Sequence, residues 1–240
     1  MSKTRKSYII RLILRCTILI ACALLCVYRP GSFSVLEGMN FFSECSVLHL
    51  LWGIWVTDMI PQIVPMKNNV PLGSQKLWAH RFQATKSIIN YESLRAYIIS
   101  STKVAYIVFT IWCALIAVIG ILYYAGILNK IGLFMISVFF YVCDLICVLV
   151  WCPFRLTMKN RCCTTCRIFN WDHLMMFSPL IFAGGFYAVS LVILASLAWL
   201  IWELCVMMYP ERFWDRSNGA LKCSSCTDKL CTQYCPKAKK

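Results

Sequence analysis

Apolar residues run along this chain in long blocks, and polar residues gather between the blocks. The first block covers residues 9–28 and follows the basic stretch MSKTRK. The second, CSVLHLLWGIWVTDMIPQIVP, covers 45–65. A third covers 104–126, and the short link ILNK leads to a fourth over 131–151. The last lies inside an apolar stretch from 174 to 209 and reads as one tilted helix over 179–204, with an interfacial lead-in from Trp171. A helix rising about 1.5 Å per residue needs about 20 apolar residues to cross the hydrocarbon core, and each block is near that length. The pattern predicts an all-α fold, a polytopic integral membrane helical bundle of about five transmembrane helices with short cysteine-rich extramembrane segments.

Several residues punctuate this pattern. Pro61 and Pro65 should kink or end the second helix. Pro179 and the pair Gly184-Gly185 are candidate breaks in the last stretch. That stretch would span ~54 Å as one helix, barely enough for two crossings and a turn, so a tight hairpin is the alternative. In the link over 75–100, Trp78, Phe82, Ile89 and Tyr97 fall loosely on one helical face. It reads either as a helix lying on the membrane surface or as an ordinary connecting helix.

Composition removes the soluble alternative. The chain is 60% hydrophobic and 14% charged, against about 25% charged in a soluble domain. Its net charge is +14, but the basic residues lie between apolar blocks and not on one face with interleaved aromatics. That argues against nucleic acid and for anionic lipid headgroups as the partner. Five Lys or Arg precede residue 16, six lie in 66–103 and four in 152–173, against one in 29–44 and one in the link after the third block. This asymmetry places the N-terminus in the cytoplasm of a multi-pass plasma-membrane protein. Arg11 and Arg15, in the first turns of the first helix, are expected to snorkel to the interface. The first block also resembles a signal sequence. No small-x-small cleavage site precedes a soluble domain, which favours an uncleaved helix. The organisation is then a helical transmembrane domain over 1–209, including a cysteine loop at 152–173, and a cysteine-rich tail over 210–240. Five crossings put that tail outside despite its seven Lys or Arg; a hairpin returns it to the cytoplasm.

The candidate chemistry is sulfur. Of sixteen cysteines, eight are scattered, Cys147 among them, and read mainly as small buried hydrophobes. The tail group, Cys223, Cys226, Cys231 and Cys235, has the spacing C-x2-C-x4-C-x3-C-P. The loop group is Cys152, Cys162, Cys163 and Cys166, interspersed with Arg155, Lys159, Arg161 and Arg167. Nearby positive charge favours the thiolate that metals and electrophiles require. Such sets can hold zinc through four thiolates, serve an iron–sulfur cluster, or cycle between dithiol and disulfide, as Cys163 and Cys166 are spaced to do.

A Cys-Pro at a helix end, a basic stretch and then Cys-x2-Cys, with a C-terminal four-cysteine run ending in Cys-Pro, resembles membrane-bound ferredoxin-type (polyferredoxin-like) iron–sulfur proteins. The resemblance covers about forty residues. It implies that Cys162 or Cys163, Cys166, Cys223, Cys226 and Cys231 are cluster ligands, with Cys152 and Cys235 crossing over to complete each other's cluster. The chain departs from the usual C-x2-C-x2-C-x3-C-P spacing in the tail, lacks a second Cys-Pro in the loop and lacks the glycine-rich turns. The crossing-over also needs both groups on one side of the membrane, which five crossings forbid.

Two carboxylates fall inside apolar blocks. Asp58 and Asp144 each lie thirteen residues into parallel helices, hence at matching depth. An intramembrane carboxylate needs a partner or water, so the two are candidates for a proton relay, a cation site or a quinone pocket, or else each faces the inner interface. Cys147, one helical turn beyond Asp144, could line the same pocket, though packing is its simpler role. His49 has no histidine partner at its own depth, which argues against a b-type haem. No Walker loop, dinucleotide fingerprint, G-x-S-x-G or H-E-x-x-H motif is present. The expected function is a membrane-anchored iron–sulfur electron carrier working with a redox partner protein or a quinone. The alternatives are a membrane scaffold or assembly protein stapled by zinc, and a soft-metal-ion transporter.

Overall fold

The computed structural model describes residues 3–66, 70–85, 90–159, 162–226, 228 and 230. The chain forms a polytopic bundle of α-helices, with no strand among the described residues. The helices are α1 (Lys3–Tyr28), α2 (Leu48–Ile63), α3 (Leu72–Gln75), α4 (Tyr91–Tyr124), α5 (Lys130–Leu149), α6 (Phe154–Met158), α7 (Asp172–Phe177) and α8 (Gly185–Met208). Four of them, α1, α4, α5 and α8, are long and apolar enough to cross a membrane. Helix α2, with sixteen residues, is shorter and packs beside α8. Large apolar side chains stay exposed on the outer faces, such as Ile13, Val27, Ile111 and Ile193, as a lipid-facing surface requires.

Local chemistry accounts for the helix ends. Asn90 caps α4 by accepting from the backbone N–H of Glu92 and Ser93, and Asn129 caps α5 by accepting from Gly132. Pro61 sits in the last turn of α2, where the helix stops two residues later. Helix α4 starts at Tyr91, well before the apolar block at 104, so the basic residues of 91–103 continue straight into a spanning helix. Of the helix expected over 75–100, residues 91–100 form the start of α4, and Ile89 lies outside the described residues. Residues 70–85 instead make the single turn α3 and a 3-10 turn at Ala79–Arg81. Tertiary contacts dictate this: Lys76 is fully buried, and its Nζ reaches Thr164 O at 2.7 Å and Cys166 O at 2.9 Å.

The main departure from the expected topology lies between Trp171 and α8. Helix α7 runs on into a 3-10 helix at Ser178–Phe182. It starts beside the C-terminal end of α2, where Gln62 Nε2 donates to Asp172 Oδ1 at 2.8 Å. It ends beside the segment after α1, where Phe186 N donates to Gly38 O at 2.9 Å. The lead-in therefore runs through the bundle from one end to the other. Met176, Phe177 and Leu180 are buried in it, and Ile181 faces outward, so one side of the irregular backbone packs against protein. Gly184 and Gly185 make the reversal with φ of 64° and 75°, and α8 then returns. A Cβ on Gly185 would stand 2.5 Å from Leu36 O.

This return decides where the tail lies. Arg212 Nη1 donates to Leu77 O at 2.7 Å, Thr85 N to Ser217 O at 3.2 Å and Gly219 N to Gln83 O at 2.7 Å. Trp202 Nε1, near the end of α8, donates to Arg167 O at 2.7 Å. Residues 210–226 thus sit at the same end as the cysteine loop and not at the opposite one.

Gly185→Ala should lose about 2 kcal/mol or more, because a left-handed residue with a Cβ meets fixed backbone. Gly31→Ala, where a Cβ would meet nothing within 4 Å, is the control. Thermal unfolding in detergent should separate the two variants clearly.

Candidate functional site

At the end of the bundle that holds the cysteine loop, two chambers lie side by side. A polar group anchors them. Arg15, on α1, is 5% exposed and turns inward, so it does not snorkel as its position near the helix start suggested. Its Nη1 donates to Asp144 Oδ2 and to Tyr141 O, each at 2.7 Å, and its Nη2 lies 3.5 Å from Asp58 Oδ2. Tyr141 Oη donates to Asp58 Oδ2 at 2.8 Å, and the guanidinium carbon lies 3.8 Å from the centre of the Tyr141 ring. Of the two alternatives for Asp58 and Asp144, a shared site or separate interfacial positions, the structure has the shared one, and Arg15 is the partner that joins them.

The first chamber is an apolar cavity of about 240 Å³. Its walls include Trp112, Phe140, Phe154, Met158, Met175 and Met176. Six thiols also line it: Cys143 and Cys147 from α5, Cys152 just beyond α5, and Cys162, Cys163 and Cys166 from the loop. All four loop-group cysteines are therefore brought together around one space. Cys223 and Cys226 lie at the same end but outside that wall. Cys231 and Cys235 lie outside the described residues. Among the described residues, no three His, Cys, Asp or Glu side chains come together closely enough to hold a metal ion. The iron–sulfur and zinc expectations therefore have no assembled ligand set among the described residues.

The thiols differ in chemistry. The Cys147 thiol hydrogen-bonds to Cys152, and this lowers the Cys152 pKa to about 7. Burial opposes the shift, while the backbone N–H groups of Phe154 and Arg155 and the Arg155 charge support it. Burial pushes the Cys163 thiol up to about 12, and the neighbouring thiols Cys166, Cys162 and Cys152 push the same way. Cys152 therefore ionises more readily than the thiols around it, in front of an apolar cavity. Periodicity placed Cys147 near Asp144, but nothing in sequence paired it with Cys152. That pairing depends on how the chain turns after Leu149.

No protein-family model, curated protein or solved structure matches this chain.

The second chamber is polar, about 100 Å³, and sits behind the first. Arg11, Arg15, Asp58, Gln62 and His173 line it. Asp144 and Asp172 line both chambers. His173 Nδ1 lies 3.2 Å from Asp172 Oδ1. Beyond the chambers, Glu203 takes a bidentate pair from Arg167, at 2.7 and 2.5 Å, and a hydrogen bond from Trp171 Nε1 at 2.9 Å, which holds the loop against α8. Burial also lowers the Lys76 pKa to about 7, and its neutral amine still carries the two N–H groups that its two carbonyl partners need.

Two outcomes test this site. Arg15→Met should destabilise the protein by about 3 kcal/mol, because it leaves two half-buried carboxylates among apolar helices without their counter-ion. Adding Asp58→Asn and Asp144→Asn should restore most of that loss in a detergent melting assay. Alkylation of Cys152 by iodoacetamide should reach half its plateau rate near pH 7, where an ordinary thiol does so near about 8.5. Cys147→Ala removes the largest cause of the shift and should move the midpoint upward, as read by peptide mass spectrometry across a pH series.

Proposed function

We propose that this chain is an integral membrane dithiol–disulfide redox protein. Cys152 is the nucleophile and Cys147 its resolving partner. The observation that carries this reading is that Cys147 and Cys152 stand together in the wall of an apolar cavity of about 240 Å³. A soft nucleophile held against aromatic and methionine walls suits an apolar oxidant that arrives from the bilayer, and a quinone headgroup has that chemistry. The Lys and Arg distribution supports a cytoplasmic position for the thiol end, which faces a compartment of reduced thiols. Electrons then pass from a cytosolic thiol protein, through the pair, to a membrane quinone. Anionic headgroups meet the basic residues around the loop.

The iron–sulfur electron carrier is the second reading, and one observation favours it. The tail residues Cys223 and Cys226 lie at the same end as Cys152, Cys162, Cys163 and Cys166, as shared clusters require. Brown, anaerobically purified protein with acid-labile sulfide supports it, whereas colourless protein with stoichiometric zinc supports a structural site.

The dithiol reading is tested with the full chain, reduced, in detergent and mixed with a short-chain benzoquinone. Quinol should form in one-to-one proportion with a Cys147–Cys152 disulfide identified by mass spectrometry. Cys152→Ser should abolish both products, while Cys223→Ser and Cys226→Ser should leave them unchanged. Quinol formation at the wild-type rate in Cys152→Ser overturns the assignment.

A further inference from the structure

We propose that the polar chamber is a proton-transfer site for the thiol chamber, with His173 as its proton-carrying group and Asp172 as the link between the two. This rests on the dithiol–quinone reading above and adds a role for residues that reading leaves unused.

Three features of the chambers carry it. First, Asp144 and Asp172 line both chambers, so each carboxylate can meet a proton from either side. Second, the polar chamber holds buried polar atoms without protein partners. His173 is 3% exposed and its Nε2 has no hydrogen-bond partner; Gln62 is 4% exposed and its Oε1 has none. A chamber of about 100 Å³ has room for several waters to satisfy them. Third, the charges suit a proton and not a bound ion. The groups facing His173 are Tyr8, Arg11 and Arg15 from α1, Asp58 from α2, Asp144 from α5, and its neighbour Asp172. Two guanidinium groups stand against three carboxylates, so one proton on His173 brings the chamber to neutrality. A further cation or anion would disturb that balance.

The chemistry needs such a group. When the pair is oxidised, two S–H bonds break and one S–S bond forms. Two electrons convert the two C=O groups of the quinone to C–OH. These oxygens lie at opposite ends of the ring, so the thiols can reach only one of them directly. The nearer oxygen takes a thiol proton. The farther one takes a proton from His173 through Asp172, and the remaining thiol proton reloads His173. The chamber ends as it began.

The test follows quinol formation from the short-chain benzoquinone by stopped-flow across a pH series, with the disulfide read by mass spectrometry. His173→Gln should slow quinol formation about 100-fold, flatten its pH profile and leave Cys152 alkylation unchanged. Added imidazole should restore part of the rate. A His173→Gln protein with the wild-type rate and pH profile overturns the relay while the dithiol function stands. Wild type that forms no quinol overturns both. The wild-type protein alone gives a second measurement that does not depend on the variant folding: transfer to D2O should slow the reaction, and no isotope effect overturns the relay.

Discussion

A single guanidinium between two carboxylates sets the architecture of the bundle. Arg15 joins α1 to α5 through Asp144 and to α2 through Asp58, all at one depth. None of these three groups can stay charged alone among apolar helices. Together they neutralise much of each other's cost, and Tyr141 completes the set with its hydroxyl and ring. The apolar face of α1 is otherwise exposed, with Ile10, Ile13, Ile20 and Val27 outward. Nonspecific apolar contact gives lipid-facing residues no reason to prefer one rotation of a helix over another. The ion triad supplies that reason, and it fixes which face of α5 looks toward the thiols.

The two chambers follow from that rotation. With Asp144 held by Arg15, Cys143 and Cys147 on the same helix turn toward the apolar cavity. The chain beyond Leu149 then brings Cys152 back against Cys147. Loop residues 162–166 are held in the cavity wall by Lys76, whose Nζ binds two of their carbonyl oxygens, and by the Arg167–Glu203–Trp171 cluster. Buried, hydrogen-bonded anchors of this kind hold a short irregular loop in one place where apolar packing alone would let it slide. The loop's cysteines are therefore set in position by groups that are not cysteines.

The reversal at Gly184 and Gly185 has an equally large effect. Both residues need the left-handed region, and Gly185 also passes against the backbone at Leu36 and Gly38. The segment before them crosses the bundle as a short α-helix and a 3-10 helix instead of lying along its edge. The consequence is a change of parity. Residues 210–226 return to the loop's end, and Arg212, Arg216 and Lys222 return with them. The same return brings the two cysteine groups to one end, although the described part of the tail stays out of the thiol cavity.

The sequence by itself determined the class of the protein, the approximate position of the long apolar helices and the matching positions of Asp58 and Asp144 along theirs. These are local properties: a block of about 20 apolar residues matches a bilayer, and periodicity sets depth along a helix. Only the tertiary structure decided that Arg15 points inward, that residues 172–183 run through the bundle, and that Cys147 meets Cys152. Each of these depends on which helix faces meet, and so on contacts between residues far apart in the chain. An arginine near a helix start reads as an interfacial anchor until its partners on two other helices are in place, and a cysteine in an apolar helix reads as packing until the chain turns a second thiol toward it.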